Sequence, residues 1–407
     1  MKTHLRQNCD TSMSRWTTGL LASLVLAAVC ASGANPGSLA APELDSGRVT
    51  NPRNQRTLHL PETLDHYASL DLPAHFRTPA ARRLDNSPTD NPLTDSGAAL
   101  GRVLFYDTRL SANNTVACGS CHIQRHSFTV PERFGKGFEG KLSDRNPMSL
   151  VDLRYYVRGR FFWDERARSL EDQTLVPIQS PREMGQDLKK LPGLLAQDEH
   201  YPALFRAAFG DPEITAERIS RALAQFLRSM VSYQSKYDEG LAKASSLRED
   251  FENFTAEENR GKSLFIRDCA NCHLPQGQAA HFFMSRPLNN GLDADYKKVD
   301  GGVGDITLNA SELGRFKSPS LRNVEFTAPY MHDGRFATLE AVIDHYNRNV
   351  KPHPNLDPRV RRPLNLSSAE KKALVAFLKT LSDPKFITDP KFSDPFAETA
   401  FSARKDQ

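Results

Sequence analysis

The sequence predicts a mainly α protein built from two similar helical modules in tandem, with long loops between the helices. Three observations carry this. The pentapeptide "GRVLF" at Gly101–Phe105 is echoed by "GKSLF" at Gly261–Phe265, a glycine and an aromatic four residues apart each time. Each echo is followed far downstream by a segment with apolar residues at helical spacing. No run of alternating apolar and polar residues is long enough to argue for a substantial sheet.

The elements follow in order along the chain. Lys2, Arg6 and Arg15 precede the apolar run "GLLASLVLAAVCA", and small residues follow at "ASGAN". That is the layout of a secretory signal peptide over residues 1–34, with cleavage after Ala34 and Met13 as an alternative start. The run is too short to span a bilayer. A lipoprotein site at Cys30 is disfavoured, because Val29 is bulky where such sites want a small residue. The expected location is the periplasm. The full chain has net charge +4, and without residues 1–34 it carries 50 basic and 48 acidic residues, or +2. So near-neutral a balance gives no footprint for nucleic acid or an anionic membrane.

Residues 35–95 are rich in Pro, Asn and Asp ("LDNSPTDNPLTDSG") and read as an extended lead-in. The first module spans 96–250 and closes with "ITAERISRALAQFLRSMV", where Ile219, Ala222, Leu223, Phe226, Leu227 and Met230 share a helical face. Polar "SSLREDFENFTAEEN" marks the boundary near residue 250. The second module spans 251–385 and closes with "LSSAEKKALVAFLKTL", which opens on a capping box from Ser367 to Glu370. Residues 386–407 are left as a C-terminal tail.

Cysteine use points to the chemistry. Of six cysteines, Cys9 and Cys30 fall in the leader. The other four sit in "CGSCH" (Cys118, Cys121, His122) and "CANCH" (Cys269, Cys272, His273). A disulfide framework would scatter cysteines at wider spacings, and a zinc site would want four clustered ligands. C-x-x-C-H is the spacing for c-type haem attachment, in which two thioethers hold the porphyrin and the adjacent imidazole reaches the iron. Two such motifs in an exported chain predict two covalently bound haem c groups, and each module is then cytochrome c-like. Between the motifs, Trp163 is the one tryptophan outside the leader. A lone tryptophan is most often a core aromatic, and Gln173, Pro177 and Glu183 in a loop would ordinarily be solvated.

The two C-x-x-C-H motifs, "FFWDERARSLEDQTLVPIQSPREMG", "RNPMSL" and "FKSPSLRNVEFTAPYMHDGRFATLEAV" together resemble the bacterial di-haem cytochrome c peroxidase and MauG family, from about Asn91 to Asp383. The resemblance implies that the haem on His122 is the peroxidatic one, with Glu183, Gln173 and Pro177 in its distal pocket. It implies that the haem on His273 handles electrons, and that Trp163 lies between the two. Moving a proton from the inner to the outer peroxide oxygen is work suited to a positioned carboxylate. The family also carries a calcium ion between the haems. By motif position Asn146 would give it a side-chain oxygen, and Thr327 and Pro329 their backbone carbonyls; hard oxygen donors suit calcium. His332 and Asp333 are implied to meet haem propionates or the domain interface.

The sequence departs from the family's peroxidases at the sixth ligand of the second haem. They place a methionine about fourteen residues past the histidine of the "HDG"-like motif. Counting from His332 gives Tyr346, where the MauG branch has tyrosine. Leu339, Val342, Ile343 and Tyr346 share a helical face, so a core tyrosine is the plainer alternative; Met331 and His345 compete as ligands. An anionic tyrosinate would favour higher iron oxidation states, whereas methionine raises the potential. Where many members carry a blocking histidine, sixteen residues past the first motif, this chain has Phe138, which predicts an open first haem; His126 is expected at the surface or near a propionate. Two residues before the second motif, where MauG has a hole-carrying tryptophan, stands Arg267.

Three functions compete. The first is an exported peroxidase reducing hydrogen peroxide to water with electrons from a small periplasmic donor, a cytochrome c or a cupredoxin. The second is a MauG-like oxidase that stores oxidising equivalents and modifies a protein substrate. The third is an electron-transfer cytochrome without catalysis, which Gln173 and Glu183 argue against. Members are often homodimers, although no residue pattern here signals one.

Overall fold

The computed structural model describes residues 57–396 apart from 62, 275–280 and 284–285. The expected leader, with Cys30, lies outside the described residues. Helices longer than five residues run at α1 (Asp95–Tyr106), α2 (Leu170–Gln179), α3 (Tyr201–Phe209), α4 (Ala216–Ser229), α5 (Lys236–Lys243), α6 (Ala256–Asp268), α7 (Leu339–Asp344) and α8 (Ser368–Lys379). Among the described residues there is no sheet, only isolated bridges such as Ile123 with Thr129 and Tyr330 with Phe336. None of these helices is long and apolar enough to cross a membrane.

The helices begin where side chains can satisfy their first free N–H groups. Thr94, Ser169, Thr215, Thr255 and Ser367 each accept a hydrogen bond from the backbone N–H three residues on. At α6 and α8 a glutamate closes a full capping box, the latter between Ser367 and Glu370.

The sequence echo is a structural echo. Helix α1 packs along α4, and α6 packs along α8. Gly101 lies against the Ala222 carbonyl, and a Cβ there would also come within 2.8 Å of the Phe226 Cβ. Gly261 lies against the Ala373 carbonyl with the same 2.8 Å approach to Phe377. One turn on, Phe105 meets Phe226 at 5.4 Å between ring centroids, and Phe265 meets Phe377 at 5.0 Å. Each module therefore rests on one close helix crossing, bare at the glycine and locked by an aromatic pair.

Two large apolar cores form around these crossings. One holds Leu100, Leu104, Phe128, Ile219, Leu223 and Met230; the other holds Tyr237, Leu264, Ile343, Leu374 and Leu381. The segment after residue 385 returns to the first core. Phe386 and Phe392 pack on Phe128, the Tyr106 hydroxyl donates to the Phe392 carbonyl at 2.7 Å, and buried Arg102 donates to the Ser393 carbonyl at 2.7 Å. Where the two modules meet, fully buried Arg322 pairs with Asp238 at 2.7 Å and Asp152 at 3.4 Å, and His75 of the lead-in reaches Asp238 at 2.8 Å. The Arg322 guanidinium holds the Asp238 carboxyl well below the usual carboxylate range against the opposing effect of burial.

Gly101→Ala or Gly261→Ala is expected to cost about 1–3 kcal/mol by overpacking the crossing. The measurement is the denaturation midpoint of the haem-loaded protein, and an unchanged midpoint would mean the helices separate without strain.

Candidate functional site

Each C-x-x-C-H motif sits on a single turn, Cys118–Cys121 and Ala270–His273, at the wall of its own cavity. The N-terminal cavity is about 700 Å³ and the C-terminal one about 260 Å³. Cys118, Cys121 and His122 line the first; Cys269, Cys272 and His273 line the second. The four cysteines form no disulfide. Burial pushes their thiols up, Cys118 and Cys269 to about 12. Among the described residues no cluster of three or more His, Cys, Asp or Glu side chains is arranged to hold a metal.

The histidines are fixed by their far nitrogens. His122 Nδ1 donates to the Phe128 carbonyl at 2.7 Å, and His273 Nδ1 to the Phe282 carbonyl at 3.4 Å. That orientation leaves each Nε2 with its lone pair free. Burial lowers both imidazole pKa values, His273 to about 4, so both rings are neutral at pH 7. Paired thiols beside a neutral, oriented imidazole on an apolar cavity are the donor set a c-type haem requires.

Gln173 and Pro177 on α2 and Glu183 in the turn after it all line the N-terminal cavity. The turn is braced from outside: Phe138 N–H donates to the Glu183 carbonyl at 2.9 Å, and Gly137 lies against the Arg182 carbonyl. Burial raises the Glu183 pKa above its ordinary value of 4.5. His122 is the one histidine lining this cavity among the described residues, and Phe138 lies against Gly185 rather than in the cavity. His126 lies outside both cavities, with its Nε2 accepting from Arg125 at 3.3 Å.

Trp163 lines both cavities. Its indole N–H donates to the Asn146 carbonyl at 2.8 Å, and its own carbonyl accepts from the Lys317 N–H at 2.8 Å. Asn146 Nδ2 donates to the Arg133 carbonyl at 3.1 Å, and Asn146 N–H donates to the His332 carbonyl at 2.8 Å. Thr327 and Pro329 share the C-terminal cavity with Asn146. His332 is buried, stacked on Phe316 at 3.8 Å, and lies edge-on to Trp163 at 6.3 Å.

In the C-terminal cavity, Leu339, Val342, Ile343 and Tyr346 all face inward. Helix α7 gives way at His345–Asn349 to a π-turn, a widening found often at functional sites. The Tyr346 hydroxyl accepts from Asn290 Nδ2 at 3.1 Å, and burial pushes its pKa up to about 12. Of the competing ligands, His345 is turned away, with Nε2 on the Asn290 carbonyl at 3.0 Å. Met331 does line the cavity, its Sδ 3.7 Å from Asn290 Nδ2.

Three groups carried no signal in the sequence. Asn290 is 56 residues from the tyrosine it contacts. Arg145 lines the N-terminal cavity and joins Asp164 at 2.5 Å to Asp300. Lys317, 1 % exposed, points its ammonium at the Met148 sulfur (3.3 Å) and the Tyr156 ring (4.4 Å), and burial lowers its pKa to about 7.

The family model for di-haem cytochrome c peroxidase matches residues 95–246, and that for cytochrome c matches 258–382. The methylamine utilization protein MauG of Methylorubrum extorquens is 34 % identical over 340 residues, covering 79 % of this chain and 87 % of that protein. The chain belongs to the di-haem cytochrome c peroxidase family. Another member, the cytochrome c551 peroxidase of Nitrosomonas europaea, is 31 % identical over 70 % of this chain and 79 % of its own length. Among solved structures, a MauG-like protein associated with microbial copper homeostasis superposes with a TM-score of 0.70 at 32 % identity, over 81 % of this chain and 99 % of that one. Two cytochrome c-type domains imply haem c, so this di-haem peroxidase carries it on a pair of modules. Members under both names match, peroxidase and MauG, and the family name alone does not separate them.

Cys118→Ala combined with Cys121→Ala is expected to leave one covalent haem per chain by intact mass. Two haems retained would contradict the assignment of Cys118 and Cys121.

Proposed function

We propose that the protein is a periplasmic peroxidase that reduces hydrogen peroxide to water at the N-terminal cavity and draws electrons through the C-terminal one. One observation carries the reading: Glu183 and Gln173, both half-buried, line the same cavity as His122. A carrier of electrons has no use for a carboxylate and an amide facing the cavity of its haem-side histidine.

Cys118, Cys121 and His122 would hold a haem there, which when bound would supply the redox chemistry for reducing peroxide. The chain's own residues do the rest. Glu183 takes the proton from the near peroxide oxygen and returns it to the far one, and its raised pKa brings it closer to the working pH. Gln173, with donor and acceptor on one amide, orients the peroxide. Pro177 adds no N–H to the wall and holds α2 rigid there. Trp163, in the wall common to both cavities, carries electrons between them. Cys269, Cys272 and His273 would hold the second haem, and Tyr346, whose phenol oxygen accepts from Asn290, is the residue in that cavity that would serve as a further ligand. A calcium ion would be held by Asn146, Thr327 and Pro329, which line one cavity with Trp163; the Asn146 amide nitrogen donates to the Arg133 carbonyl, which leaves its oxygen for a cation.

A MauG-like oxidase is the second reading, and Tyr346 favours it, since an oxygen ligand stabilises a higher oxidation state of the second iron. Against it stands Arg267, half exposed and paired with Asp268 at 2.7 Å, where an oxidisable ring would be needed.

Glu183→Gln is expected to slow the reaction with peroxide by about 10²–10⁴-fold with the resting spectrum retained. In the unaltered protein the carboxylate is the active form, so the rate should fall as pH drops through the raised Glu183 pKa, with its acid limb above 4.5. A rate independent of both would remove Glu183 from the reaction. Stoichiometric peroxide added to the diferric protein, with and without reduced cytochrome c, separates the functions. Rapid donor oxidation is expected; a long-lived oxidised state indifferent to the donor would favour the MauG-like reading, and no reaction would leave a carrier.

A further inference from the structure

Beside the wall that holds Trp163 lies a buried pair that the proposed reaction does not use. Tyr156 and Glu165 are 1 % and 3 % exposed, and the Tyr156 hydroxyl donates to the Glu165 carboxylate in a short hydrogen bond. Burial and the adjacent carboxylate together push the phenol pKa far above its ordinary value, so Tyr156 does not ionise by itself. Glu165 is held at φ +54°, in the left-handed region that a side chain enters at a cost. Phe162, next to Trp163, is held there too, at φ +69°. A strained turn on either side of Trp163 thus delivers a carboxylate to a phenol in the interior.

The pair sits one side chain behind the wall of each cavity. The Tyr156 ring lies 6.3 Å from Phe161, which lines the N-terminal cavity, and 4.4 Å from the Lys317 ammonium, which lines the C-terminal one. It also reaches the surface: Arg158, its side chain 41 % exposed, holds the Glu165 carboxylate at 2.8 Å. Val157, between Tyr156 and Arg158, is 49 % exposed.

We propose that Tyr156 is a second oxidisable residue beside Trp163, with Glu165 as its proton acceptor. The inference rests on the peroxidase reading, because hydrogen peroxide is the oxidant. When peroxide has left an oxidising equivalent in the protein, Tyr156 gives up one electron to it, its O–H bond breaks, and the proton passes to the Glu165 carboxylate. The products are a neutral tyrosyl radical and a protonated Glu165. An electron from an external donor restores Tyr156, and the proton returns from Glu165. Loss of the proton along with the electron keeps a second positive charge from forming on a ring already faced by Lys317. With Arg267 in place of an oxidisable ring, this pair gives oxidising equivalents a way to the surface at Val157 and Arg158.

The test is electron paramagnetic resonance on the full di-haem protein, frozen within milliseconds of adding peroxide. A tyrosyl signal that narrows with ring-deuterated tyrosine and vanishes in Tyr156→Phe is the expected result. Glu165→Gln keeps a hydrogen-bond acceptor but is a far weaker base, and should slow the rise of that signal at least about tenfold and change its solvent-deuterium dependence. Peroxide consumption with no tyrosyl signal, or with a signal that survives Tyr156→Phe, overturns the inference alone. No reaction with peroxide in the unaltered protein overturns the peroxidase reading and this inference with it.

Discussion

Two backbone hydrogen bonds at Trp163 set the geometry on which the site depends. Its indole donates to Asn146 from the first module, and its carbonyl accepts from Lys317 of the second, each at 2.8 Å. The ring is thereby tied to the first module through its indole N–H, and the backbone that carries it is tied to the second. Asn146 passes the constraint on, because its N–H holds the His332 carbonyl, and His332 stacks on Phe316. The two cavities share a wall that includes Trp163 and Asn146.

Around it, polar groups are spent sparingly. Each haem-side histidine uses its Nδ1 on a backbone carbonyl, which costs no extra charge and leaves Nε2 as the only free valence. Charged side chains are paired. Arg322 with Asp152 and Asp238 joins the modules, and Arg145 with Asp164 and Asp300 lines the first cavity. Both groups are paired on several sides, as burial of a guanidinium demands. Lys317 is the exception: its ammonium faces a thioether and two rings, and burial alone carries its pKa down to about 7.

Much of this was legible in the sequence because the relevant signals are local. The glycine and phenylalanine of "GRVLF" and "GKSLF" mark helix crossings, since a missing Cβ and a bulky ring one turn apart say where a second helix comes close. Ser367 and Glu370 announce a helix start by their spacing. The cysteine pairs with their histidines lie on single turns, so sequence spacing is spatial spacing. Tyr346 could be reached by counting from His332, but the π-turn that presents it could not, because nothing in "DHYNRN" distinguishes a wider turn from an ordinary one. Asn290, Arg145 and Lys317 act on residues far along the chain or in the other module, and such pairings are decided by packing. Trp163 and Glu165 look alike as unremarkable loop residues until the backbone at Phe162 and Glu165 is seen to take positive φ.

The return of residues 386–396 to the first core has a bearing on how the molecule is made. Phe386, Phe392 and the carbonyl that receives Arg102 belong to the last part of the described chain, yet they close the module that is synthesised first. The core of the first module therefore cannot be completed until every residue of the second has been made.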